Sequence, residues 1–172
     1  MGTPPQMVEY FIQSSLAYTI LNPYDSVYVA AYDGYNATAS STAGVSTYTT
    51  TILTDTVLSG GWTPVLWNGY MMTDTACFGA AGPCLDGFNF FQATDSTANP
   101  WTNGVLGLAP ITDGNPPSVV NELHKAKMIS EPIVTFWLNN PYSTIESSIT
   151  IGALTSGANK GGYTEHKILS NT

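Results

Sequence analysis

The sequence predicts a mainly β domain with one short helix, and three observations predict it. β-Branched and aromatic residues gather in short runs, Gly, Pro, Asn and Asp clusters separate those runs, and a helical period surfaces once. The length of 172 residues suits one domain with a substantial core. Only 9% of residues are charged, against about 25% in ordinary globular proteins. Ser, Thr, Tyr, Asn and Gly take their place. Aromatics at 12% can bury a core, which argues against disorder.

Taken in chain order, "SVYVAAY" (26–32) is the first full strand candidate. "DGYNATASSTAG" (33–44) follows as an exposed loop. "STYTTTILTDTVL" (46–58), "GYMMTDTACF" (69–78) and "FNFFQAT" (88–94) are the central strands. The single helix is expected near 118–127, where Pro116-Pro117 lead to a capping Ser118. Val119, Val120, Leu123 and Ala126 then share a face, and His124, Lys125 and Lys127 crowd the C-terminal end, where the helix dipole favours cations. "IVTFWLN" (133–139) and "SSITIGAL" (147–154) are strands joined by a hairpin loop at "NNPYST". In the second, Ile149 and Ile151 face one way and Ser148 and Thr150 the other.

Charge removes whole classes of function. Net charge is −8 with four lysines and no arginine. Scattered lysines build no phosphate-tracking face, so neither nucleic acid nor an anionic membrane surface is an expected partner. No apolar run approaches the roughly 20 residues of a spanning helix. There is no Gly-rich phosphate loop and no metal-ligand spacing, so no cofactor and no metal is expected. Cys77 and Cys84 flank a spacer containing Gly79, Gly82 and Pro83, which can turn sharply. They read as a small disulfide loop, with buried free thiols as the alternative. Asn36-Ala37-Thr38 is a glycosylation sequon.

Five segments, in order, carry a family resemblance. They are "MGTPPQ" at the start, "DTACFGAAGPCLDGFNFFQAT" (74–94), "WTNGVLGLAP" (101–110), "SVVNELHKAKMISEPIVTFWLN" (118–139) and "SSITIGAL" (147–154). Together they resemble the N-terminal lobe of a pepsin-like aspartic protease across nearly the whole chain. The resemblance implies a single lobe of packed, barrel-like β-sheets spanning 1–172. It also implies a processed piece or fragment of a longer secreted chain, in an extracellular or lysosome-like compartment. In that family two lobes each supply an aspartate, and the pair shares one proton because like charges about 3 Å apart cannot both ionise.

The resemblance also locates three departures. Six residues separate the family's entry motif from its catalytic Asp-Thr-Gly; here Met7 to Ile12 fill them, and Gln13-Ser14-Ser15 stand in the catalytic positions. A glutamine amide accepts no proton from water, and loss of a general base costs about 10²–10⁴ in rate. The family's tyrosine-bearing flap falls on "WTPVLWNG" (62–69), with Trp62 in the tyrosine's place and Gly69 alone of the glycines retained. No second Asp-Thr/Ser-Gly follows, and a homodimer would present Gln13 twice.

Neither His124 nor His166 offers a triad in compensation. The expected function is therefore a catalytically inactive aspartic-protease-like domain with a structural or assembly role outside the cell. It would self-associate or bind a protein partner through its exposed lobe face. The alternatives are a pseudoprotease that holds an extended peptide, and one lobe of an endopeptidase whose catalytic residues lie elsewhere.

Overall fold

The computed structural model describes residues 1–22, 34–56, 63–79, 82–96, 104–109, 118–140, 142, 144, 146–154 and 164. Within them are β1 (Phe11–Gln13), β2 (Ile20–Leu21), β3 (Gly44–Thr56), β4 (Thr63–Cys77), β5 (Cys84–Ser96), β6 (Gly104–Gly107), α1 (Val119–Lys125), β7 (Val134–Trp137) and β8 (Ser148–Ile151). The strand expected at 26–32 and Trp62 lie outside the described residues.

Six strands form one mixed sheet in the order β1-β6-β2-β5-β4-β3. Its centre is a meander of long antiparallel strands. β4 pairs with β3 from Gly44↔Thr73 to Thr56↔Thr63 and with β5 from Trp67↔Ser96 to Cys77↔Cys84. The last pair of that second ladder is also covalent, because Cys77 and Cys84 form a disulfide. The spacer between the cysteines reverses the chain through Gly79, at φ +85°, and the Gly82 N–H donates to the Gly79 carbonyl. Of the two sequence readings, the disulfide is the one adopted.

The core lies on both faces of this sheet, as strand alternation dictates. Phe88 and Phe90 of β5 point to one face, where Leu21, Tyr35, Met72, Val119 and Leu123 join them. Phe91 and Ala93 point to the other, against Leu16, Ile20, Trp67 and Val105. Tyr35 and Phe90 meet edge to face with ring centroids 5.2 Å apart.

The helix is shorter than its pattern. Ser118 caps it through its side chain, and Val119, Val120 and Leu123 are buried. Ala126, expected on the apolar face, instead ends the helix and is exposed. Lys127 follows in the left-handed region at φ 59°. Its N–H donates to the His124 carbonyl and that of Met128 to the Leu123 carbonyl, a pair of bonds that closes a Schellman motif.

The 33–44 segment also departs from expectation. Its beginning is not an exposed loop, because Tyr35 is fully buried in the core and Asn36 caps a short 3₁₀ turn at Ala37–Ala39. An aromatic residue amid turn formers carries no periodicity, so the pattern hides its burial.

β7 and β8 form a separate two-stranded hairpin. Val134↔Ile151 and Phe136↔Ile149 place these four apolar side chains on one face, as the alternation of Ile149 and Ile151 predicts. Val134 and Ile151 pack on the core, whereas Phe136 (43%) and Leu138 (79%) run out into solvent.

Candidate functional site

β1 and β2 are consecutive in the chain but are not neighbours in the sheet, because β6 is inserted between them. β1 runs parallel to β6, with Gln13 opposite Gly107, and β2 returns antiparallel on the other side, with Ile20 opposite Val105. Residues 14–19 must therefore arch over β6. The arch is tied down where it crosses: the Leu108 N–H donates to the Gln13 carbonyl at 3.0 Å and the Ala109 N–H to the Leu16 carbonyl at 2.9 Å.

Gly107 is what allows the crossing. A β-carbon there would lie 2.3 Å from the Tyr18 carbonyl oxygen and 2.4 Å from that of Leu16. Gly104 sits under β2 in the same way, 2.5 Å from the Ile20 carbonyl by that measure. The glycines of "NGVLGL" thus mark two backbone crossings at which a side chain has no room.

At the head of the arch stand Gln13, Ser14 and Ser15. Ser14 and Ser15 are exposed, Gln13 is half-buried, and the Gln13 Nε2 donates to Ser15 Oγ at 3.0 Å. The group presented is an uncharged amide–hydroxyl pair. Deeper in the arch, Thr19 is 3% exposed and its Oγ1 has no hydrogen-bond partner among the described residues.

Among the described residues, Asp74 is the one buried carboxylate, at 1% exposure. Sequence reading treats it only as a landmark, yet its surroundings are built with care. It accepts hydrogen bonds from the Tyr35 hydroxyl, from Thr42 Oγ1 and, at 2.7 Å, from the Thr75 N–H. Burial pushes its pKa up, but the bonds from Thr42, Tyr35, Ser40 and Thr75 outweigh that and hold it below the ordinary carboxylate range. Burial, and then the Asp74 carboxylate itself, raises the pKa of Tyr35. The hydroxyl network runs on to Thr3, whose N–H donates to Ser40 Oγ at 3.0 Å. The Gly2 N–H donates to the Thr75 carbonyl at 2.8 Å. Asp74 thus pins the "GTPP" turn and the 35–42 segment onto β4. A water-excluded anion held by this many donors is a structural group.

Gly69, expected from the sequence to be a flap glycine, lies within β4 at a bulge, where pairing shifts from Asn68↔Asp95 to Gly69↔Ala93. A β-carbon there would fall 2.0 Å from the Gln92 carbonyl oxygen. The close approach of two backbones is sufficient reason for its presence. Asn36 stands apart from the arch, on the 3₁₀ turn beside Tyr35. The structure thus brings Gln13, Ser14 and Ser15 together and leaves Gly69, Asn36 and the disulfide at separate places.

No group of three or more His, Cys, Asp or Glu side chains among the described residues is placed to hold a metal ion. No helix among them is long and apolar enough to cross a membrane.

The comparisons with known proteins agree with this architecture. The family model for eukaryotic aspartyl proteases matches residues 14–172. A search of curated proteins finds no match.

Proposed function

The chain belongs to the eukaryotic aspartyl protease family, and from that membership we propose that it is a non-catalytic member with a structural or assembly role outside the cell. One observation carries the reading: Gln13-Ser14-Ser15 occupies the end of β1, at the crossing with β6, where the family resemblance calls for Asp-Thr-Gly. An amide at that point neither activates water nor shares a proton with a second acid. The Cys77–Cys84 disulfide favours an oxidising compartment.

Two surfaces suit assembly. β3 ends the large sheet and presents an unpaired strand edge, at least among the described residues. The Phe136, Leu138 and Ile149 stripe of the β7–β8 hairpin carries apolar surface into solvent with no charge on either strand.

Hydrolysis of an unfolded protein at acid pH, with and without pepstatin, tests the catalytic half of the proposal. The unmodified chain is expected to give no pepstatin-sensitive cleavage. Pepstatin-sensitive cleavage by the unmodified chain would overturn the reading. For the assembly half, light scattering of the native protein is expected to give a mass above that of one chain, which falls in a Phe136→Ser/Leu138→Ser variant. A single-chain mass at every concentration would sink it.

A further inference from the structure

An open cavity of about 490 Å³ lies beside the 3₁₀ turn, lined by Tyr35, Asn36, Val45, Tyr70, Met72 and Gln92 among others. Its floor continues the first core face. Tyr70 pairs with Gln92, and Met72 pairs with both Phe90 and Val45, so these side chains follow the alternation that buries Phe88 and Phe90. Unlike those phenylalanines, Val45 is 67% exposed and Tyr70 38%. The core face therefore runs out into an apolar floor that stays wet.

Asn36 stands at the rim of this cavity and is unusually well held. Gln6 grips its main chain twice, Oε1 accepting from the Asn36 N–H at 2.8 Å and Nε2 donating to the Asn36 carbonyl at 2.9 Å. Its side-chain Oδ1 accepts from the Thr38 N–H at 3.1 Å and from Thr38 Oγ1 at 2.7 Å. Both acceptor positions of the carboxamide are occupied, both by the sequon threonine. Nδ2 makes no hydrogen bond among the described residues and is not a buried group. The atom that an N-glycan modifies is thus the one the fold leaves over.

We propose that Asn36 carries an N-linked glycan whose first N-acetylhexosamine occupies the cavity and covers Tyr70 and Val45. The inference rests on the extracellular reading above, because the donor, a lipid-pyrophosphate-linked oligosaccharide, belongs to the secretory pathway. In the transfer a bond forms between Asn36 Nδ2 and the anomeric carbon. The bond from that carbon to the pyrophosphate oxygen breaks, its electron pair leaving with the lipid pyrophosphate, and Nδ2 gives up one proton. Nothing is oxidised or reduced.

The chemistry of the occupant matches the floor. A pyranose presents one face of C–H groups, which lies flat on an aromatic ring, and hydroxyls on its rim that remain in water. An N-acetyl group adds a methyl for the apolar wall. Covering the floor with a covalently attached sugar removes the wet apolar surface at no cost in association entropy, because the sugar is already tethered.

The test uses the whole chain expressed in a eukaryotic host behind an added secretion leader. The leader forces entry into the pathway, so the outcome bears on Asn36 and not on where the native protein resides. Mass spectrometry is expected to find glycan at Asn36 in the unmodified chain and none in Thr38→Ala, which keeps the asparagine. Two enzymatic trims then probe the cavity. An endoglycosidase that leaves one sugar on Asn36 should leave Tm unchanged, whereas complete removal should lower it by about 2–4 °C, the size expected for one modest contact in a domain this large. Tyr70→Ser should abolish the difference between the two trims, and Asn36→Gln should match the fully stripped protein without the charge that stripping leaves. A bare Asn36 in the secreted chain would overturn the proposal. So would a glycan whose first sugar changes Tm equally with Tyr70 and with Ser at that position.

Discussion

The arch over β6 and the cage around Asp74 are two places where a pepsin-like lobe folds chain against chain, and they have been treated in opposite ways. At the arch the backbone geometry is intact, with Gly104 and Gly107 clearing the crossings and the Gln13 and Leu16 carbonyls bonded, and the residue that closes β1 there is a glutamine. At the cage a carboxylate is present and engaged, but it faces the donors of Tyr35, Ser40, Thr42 and Thr75 and no solvent. The difference separates two uses of an aspartate. A reactive carboxyl needs access and a partner acid, whereas a structural one needs neither, and among the described residues Asp74 is of the structural kind.

The comparison breaks most sharply at Gly107. Gly107→Ala puts a methyl within 2.4 Å of two backbone carbonyl oxygens, and neither strand can move without surrendering the sheet. A loss of more than about 4 kcal/mol is expected, most of a typical domain's stability, seen as failure to recover soluble, disulfide-bonded protein. Ser14→Ala, on the exposed head of the same arch, should stay within about 0.5 kcal/mol by urea unfolding. Equal effects of the two changes would mean that the arch is held by its side chains, contrary to the geometry.

Asp74→Asn comes next. The amide must turn an N–H toward a hydroxyl that now donates to the carboxylate, so at least one buried donor loses its acceptor, at about 2–3 kcal/mol. The pH dependence carries the clearer mark. The folded pKa of Asp74 lies below its unfolded value, so its contribution is complete above pH of about 4 and is lost as pH falls through the folded pKa. The unmodified chain should therefore lose stability progressively on acidification below about pH 4, and Asp74→Asn should show a shallower slope over that window. Parallel slopes in the two proteins would remove Asp74 from the account.

How much of this was legible in the sequence follows from the same two regions. The β4–β5 meander and the β7–β8 hairpin announce themselves through β-branched and aromatic runs, because their burial repeats every second residue. The end of β1 was legible as a position: counting six residues from "GTPPQ" lands on Gln13, which closes β1 opposite Gly107, and its catalytic equivalence stays a proposal. The cage was not. Tyr35, Thr42 and Asp74 are 39 residues or fewer apart in the chain, but they meet through a 3₁₀ turn and a strand pairing that no local pattern encodes. The termination at Ala126 was hidden for a similar reason, since a left-handed lysine at 127 ends the helix where glycine usually does so.

The smallest predicted effect is at Thr19, where the contrast between the regions can be tightened. Asp74 is well supplied with donors, whereas Thr19 Oγ1, buried in the arch at 3% exposure, has no partner among the described residues. A buried hydroxyl without a hydrogen bond is a standing cost, and valine has the same shape without the polar atom. Thr19→Val is therefore expected to stabilise the protein by about 1 kcal/mol, or about 2–4 °C in Tm for a domain of this size. The gain should come with no change in the native mass measured by light scattering. A loss of stability in Thr19→Val would show that the hydroxyl is engaged after all, and the arch would then be a polar site as carefully furnished as the cage.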